Sequence, residues 1–107
     1  MEHNNKLPLL SEIHTIAFDF DGIFTDNRVW VNDLGQECVR CDRGDGLGVD
    51  MLHSAQRLGL LQADLLIVTT EHNSVATRRA EKLGLVCHQG VSDKLEFLQV
   101  LLQQRFP

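Results

Sequence analysis

No stretch of this sequence approaches the ~20 consecutive apolar residues that cross a bilayer. The opening run Met1-Glu2-His3-Asn4-Asn5-Lys6 also lacks the apolar core of a secretory signal, so a cytoplasmic location without a membrane partner is expected. Cysteine is scarce. Cys38, Cys41 and Cys87 form an odd count without a dense framework, which favours reduced thiols over disulfides. Cys38-x-x-Cys41 could be half of a zinc site completed by Cys87 and His88, but no second CxxC follows and residues three apart on a strand face opposite sides. Positive charge is short as well: 10 Lys and Arg stand against 15 Asp and Glu, a net charge of -5. That balance argues against nucleic acid or an anionic membrane as partner, since both are bound chiefly through Lys and Arg. An anionic ligand would need local help from a metal or a placed lysine.

What is present describes a globular chain. Hydrophobic residues make up 43% and charged residues 23%, and 107 residues suit one domain, at the small end for a doubly wound sheet. Residues 1–12 read as a lead-in, a polar tail with one helical turn near Leu9 to Ile13. Ile13 to Phe20 is near-continuously apolar, as in a strand covered on both faces. Residues 28–40 give two short runs of β formers around Asn32-Asp33-Leu34-Gly35, a hairpin signal. A glycine-rich loop from Asp42 to Gly48 then feeds a helix that stops at Gly59, with Asp45 as the expected N-cap. Leu65 to Thr70 is a buried strand, Val75 to Leu83 a helix capped by Asn73 or Ser74 and stopped by Gly84, and Leu85 to His88 a short strand. The last helix follows Lys94, with Leu95, Leu98, Leu101 and Leu102 as its apolar face. The alternation predicts an α/β fold: a doubly wound, Rossmann-like parallel sheet with helices on both faces and a β-hairpin inserted after the first strand.

That hairpin carries Val29, Trp30, Val31 and Val39, more apolar surface than a two-stranded ribbon can cover by itself. Either Trp30 folds back onto its own domain or the hairpin meets a partner.

The first strand runs into Asp19-Phe20-Asp21-Gly22. Two carboxylates two residues apart on a strand share a face and repel each other unless a cation lies between them. A hard cation such as Mg2+, which takes a few carboxylate oxygens plus water and phosphate, answers that need. Lys94 at the first turn of a helix stands against the helix dipole, at a cost of roughly a few tenths of a kcal/mol, which hints at a purpose beyond the helix.

The string Phe18-Asp19-Phe20-Asp21-Gly22-Ile23-Phe24-Thr25-Asp26 closely resembles the first motif of the haloacid dehalogenase (HAD) superfamily, mostly Mg2+-dependent phosphohydrolases. Thr25-Asp26 draws it toward the small, capless branch of 3-deoxy-D-manno-octulosonate 8-phosphate phosphatases and the phosphatase-like domains of acylneuraminate cytidylyltransferases. The resemblance implies Asp19 as the nucleophile that becomes an aspartyl phosphate, Asp21 as general acid and base, and both in the metal site. Thr69 matches the second motif and Lys94 the third. Thr25, Asp26, Arg43, Asp45, Gly46 and Thr70 fall where the branch binds substrate, which implies a sugar acid phosphate as ligand. It also implies a homotetramer in which the hairpin packs on neighbouring subunits.

Two departures stand out. Thr69-Thr70-Glu71 replaces the Thr-Gly-Arg usual in the octulosonate phosphatases, removing an Arg that could meet substrate. The fourth motif, Gly-Asp-x-x-x-Asp, does not follow Lys94. The sheet is therefore expected to be C-terminally incomplete with an open edge, and Mg2+ binding and turnover are expected to be weak. Two classes of function stay open, a phosphomonoesterase and a catalytically silent oligomerisation module. A receiver domain, which also phosphorylates an Asp, does not fit the Asp19-Phe20-Asp21 spacing.

Overall fold

A computed structural model describes residues 7–105. After a 3-10 turn at Leu10–Glu12, the chain forms β1 (Thr15–Phe18), a hairpin of β2 (Trp30–Val31) and β3 (Glu37–Cys38), α1 (Arg43–Arg57), β4 (Asp64–Val68), α2 (Ser74–Leu83), β5 (Val86–His88) and α3 (Lys94–Arg105). β4 lies between β1 and β5, parallel to both, with Phe18 beside Ile67 and Val68 beside His88. β2 and β3 form a separate antiparallel ribbon.

Side chains alternate along β4, so its two faces pack differently. Leu65 and Ile67 join Ile16 and Phe18 in the main core, closed by Val49 of α1 and by Ala76, Ala80 and Leu83 of α2. Leu66 and Val68 face the other way, in register with Val86 and His88. α3 lies on that side: Phe97 packs against His88 with ring centroids 4.8 Å apart, and Arg105 pairs with Asp64. Helices thus cover both faces, as an α/β doubly wound arrangement requires.

Several expectations shift in detail. β1 spans four residues rather than eight and is an edge strand with Ala17 exposed; the strand covered on both faces is β4. The glycine-rich stretch is the first turn of α1, not a loop. Asp42, extended at φ -102°, caps it by accepting from the Gly44 N–H at 2.6 Å, and this places Asp45 one turn inside, where its charge favours the helix dipole. Asn73 caps α2 and left-handed Gly84 ends it, both as expected. α3 differs most: none of its described residues is buried, and Leu95 is 68% exposed. A three-residue β5 offers a narrow platform, so only part of that leucine face finds a surface. Among the described residues no strand pairs with the outer edge of β5, the open edge anticipated.

Trp30, Val31 and Leu34 are also exposed. Asn32 shapes the hairpin turn, its Oδ1 accepting from the N–H groups of Leu34 and Gln36, and Trp30 does not fold back onto the domain.

Candidate active site

Parallel strands deliver their C-terminal ends to one side of the sheet, where open α/β folds bind ligands. Asp19 follows β1, Thr69 follows β4, and the segment after β5 leads to Lys94 at the start of α3. Backbone bonds lace these ends together. Thr69 N–H donates to His88 O at 3.0 Å, Val91 N–H to Thr69 O at 3.0 Å, and Gly90 N–H to Glu71 O at 2.9 Å. Asp93 Oδ1 accepts from Glu96 N–H and sets the first turn of α3.

The outcome is an ion pair across the sheet end, Lys94 Nζ to Asp19 Oδ2 at 3.1 Å. Asp19 Oδ1 accepts from Phe20 N–H at 2.7 Å, so each carboxylate oxygen has a donor and the plane of the group is fixed. Thr69 is buried, and its Oγ1 accepts from Glu71 N–H at 3.1 Å, which leaves the hydroxyl proton to donate elsewhere. Asp21 is half-buried. Beyond it the chain turns sharply, with Phe24 N–H on Phe20 O at 2.9 Å and Gly22 at φ +80°, a left-handed value that glycine adopts without strain.

The other candidates lie around this centre. Thr25 is buried, and its Oγ1 accepts from the N–H groups of Gly22 and Asn27, which shapes the turn. Asp26 accepts from Arg28 N–H and pairs with Arg40 at 2.9 Å, bracing the base of the hairpin. Thr25, Asp26, Arg43 and Asp45 line one open cleft of about 650 Å³, which neither Asp19 nor Asp21 lines. Gly46 faces Leu83 of α2, and Thr70 is exposed. Asp21 lines a different, smaller cavity of about 170 Å³, between the hairpin and the start of α2, together with Arg28, Glu37, Glu71 and Asn73. Sequence reasoning gave Arg28 and Glu37 no role beyond the hairpin. Only the two-residue step from Asp26 to Arg28, an Asx turn, could have signalled the first of them.

Cys38 is exposed, while burial pushes the Cys41 and Cys87 thiols up from their usual range. No group of three or more His, Cys, Asp or Glu side chains poised for a metal occurs among the described residues. Asp19 and Asp21 do offer hard oxygen donors at the sheet end. That pair fits a Mg2+ ion that keeps several waters, not a metal caged by protein alone.

The α/β fold and its parallel sheet fit those of HAD family hydrolases of known structure. No protein-family model matches the sequence. Solved structures do. A protein described as a HAD family hydrolase from Streptomyces avermitilis MA-4680 is 34% identical, with a TM-score of 0.78 over 94% of this chain and 54% of that one. The 3-deoxy-D-manno-octulosonate 8-phosphate phosphatase from Moraxella catarrhalis, solved with a magnesium ion, a phosphate ion and a KDO molecule, is 31% identical. Its TM-score is 0.75 over 90% of this chain and 52% of that one. The same enzyme from Yersinia pestis is 27% identical at TM-score 0.74, over 90% and 49%. The chain spans about half the length of these solved proteins, and its structural neighbours are HAD family hydrolases, octulosonate 8-phosphate phosphatases among them.

Proposed function

We propose that the chain carries the reaction centre of a Mg2+-dependent phosphomonoesterase whose substrate is a sugar acid phosphate, 3-deoxy-D-manno-octulosonate 8-phosphate or an N-acylneuraminate 9-phosphate. The observation that carries this reading is the Lys94–Asp19 pair at 3.1 Å, which brings the start of α3 to the end of β1. The Asp19 carboxylate attacks phosphorus as the ester bond breaks, forming an aspartyl phosphate, and Asp21 gives its proton to the departing alkoxide. Asp21 then takes a proton from water as that water attacks the phosphoryl group and frees Asp19. Thr69 donates its hydroxyl proton to a phosphoryl oxygen, and Lys94 holds charge on the same group. Mg2+, held by Asp19 and Asp21, would supply further neutralisation of the phosphoryl oxygens.

The test is phosphate release from both sugar phosphates with and without Mg2+, alongside beryllofluoride trapping. Release that is lost in Asp19→Asn, with an adduct on Asp19, is the expected result. An adduct on another residue sinks the assignment. A second reading, a silent module that serves assembly, is favoured by one observation: no group of three or more His, Cys, Asp or Glu side chains that could hold a metal occurs among the described residues. Under either reading the exposed hairpin is where a homotetramer would form.

A further inference from the structure

Lys94 reaches Asp19 from a helix that is loosely anchored. None of the described residues of α3 is buried; Phe97 touches His88, and Arg105 pairs with Asp64 at the opposite end of the helix from Lys94. An ammonium on a flexible four-carbon stem is placed only as well as the backbone that carries it. The segment between β5 and α3 therefore sets where Lys94 stands.

That segment is tied to the loop between β4 and α2. Gly90 N–H donates to Glu71 O at 2.9 Å and Val91 N–H to Thr69 O at 3.0 Å. One side chain adds two more bonds. Gln89, half-buried, accepts at Oε1 from the Thr77 hydroxyl at 2.6 Å and donates from Nε2 to Asn73 O. Both ends of its amide are engaged, which fixes the amide's orientation and the rotamer that carries it. The partners belong to the start of α2: Asn73 is the N-cap, its Oδ1 accepting from Val75 N–H, and Thr77 closes the first turn. α2 is a firm support, because Ala76, Ala80 and Leu83 are buried in the main core. Gln89 thus joins the loosely packed start of α3 to the well-packed start of α2, immediately before the left-handed turn at Gly90, φ +65°. Among the described residues it is the one polar side chain of residues 89–93 that hydrogen-bonds outside the segment and α3; Asp93 Oδ1 accepts from Glu96 N–H within the helix.

We propose that Gln89 is a positioning residue of the site: by clamping the segment after β5 to the start of α2, it holds Lys94 against Asp19. Its own hydrogen bonds go to none of the reacting groups. The catalytic consequence rests on the phosphatase reading, whereas the placement of Lys94 rests on geometry alone, so each has its own measurement.

Placement is read by the carbon-13 resonance of the Asp19 carboxylate. Lys94→Met, which removes the ammonium, gives the reference shift for an unpaired Asp19. Gln89→Met keeps an unbranched side chain and removes both hydrogen bonds, and it should move the resonance most of the way to that reference. Thr77→Val removes one of the two bonds and should move it less far in the same direction, which provides a reading even where Gln89→Met does not fold. The consequence is read by kcat for the better of the two sugar acid phosphates, in a double-mutant cycle with Lys94. A misplacement of about 1 Å costs about 100-fold in rate, so Gln89→Met should lower kcat by about 10- to 100-fold, with less change in KM. In the Lys94→Met background the same substitution should cost less than about 2-fold, because the group it positions is gone. An Asp19 resonance that stays at its wild-type position in the folded variants overturns the proposal, as do losses in kcat that multiply with that of Lys94→Met. A resonance that moves as expected in a protein that turns over no ester removes the phosphatase reading and leaves the clamp standing.

Discussion

Lys94 separates a structural role from a catalytic one, because its two consequences differ in size. At 3.1 Å, with side chains 36% and 49% exposed, the attraction between Lys94 and Asp19 is about 5 kcal/mol gross at an effective dielectric near 20. Desolvation, side-chain entropy and screening reduce a pair this open to about 0–1 kcal/mol of net stability. Lys94 also sits at the first position of α3, where its charge opposes the helix dipole by a few tenths of a kcal/mol. Lys94→Met should therefore change stability by less than about 1 kcal/mol, a shift of no more than about 4–8 °C in melting temperature for a domain of this size. Transition-state charge is another matter. Removing one placed donor from a phosphoryl or oxyanion site costs roughly 100- to 1,000-fold in kcat. Thermal melting and phosphate release on the same two samples decide the matter. A melting temperature that collapses together with activity would mean that the lysine serves the fold, and unchanged turnover would remove it from the reaction.

Two further perturbations probe the surroundings. Gly90 is left-handed at φ +65°, and a Cβ there would lie 2.6 Å from the His72 ring, so Gly90→Ala should destabilise by more than the ~1–2 kcal/mol cost of left-handed backbone alone. Adding His72→Ala should recover the steric part only; a double variant no more stable than Gly90→Ala would mean that the ring contact is not the cause. Trp30→Asp should convert a tetramer to monomers in sedimentation without lowering the melting temperature, since Trp30 is 76% exposed in the single chain. A wild-type chain that sediments as a monomer at micromolar concentration removes the basis for that expectation.

The strand, helix, strand, helix, strand alternation was legible because β4 is apolar on both faces and because Asn73 and Gly84 mark the ends of α2 in the expected way. Misplaced features have local causes. Asp42 and Asp45 both stand near the start of α1, and composition does not tell which backbone is extended; the structure gives the cap to Asp42. The leucines of α3 have a helical spacing, but spacing shows which face is apolar and not how much sheet lies beneath it. The split between the two clefts was also hidden. Thr25, Asp26, Arg43 and Asp45 share one while Asp21 opens on the other, a distinction set by how the hairpin leaves the sheet rather than by any residue type.

The two halves of the site are held in unlike ways, and this explains why one was readable and the other not. At the end of β4, Thr69 has its N–H, its carbonyl and an acceptor position of its hydroxyl all engaged, which fixes its place at the strand end. Asp19 is fixed at both oxygens. Such preorganisation requires particular residue types at particular strand ends, and the requirement leaves a compact sequence motif. The side toward Asp21 is walled by a ribbon whose strands are two residues long and whose apolar side chains stand in solvent, an element that packing hardly constrains. Phosphate is the same in every ester, whereas the alcohol varies. On the proposed reading, a domain built this way keeps its phosphoryl chemistry at the sheet ends and leaves the loosely packed hairpin side free to vary.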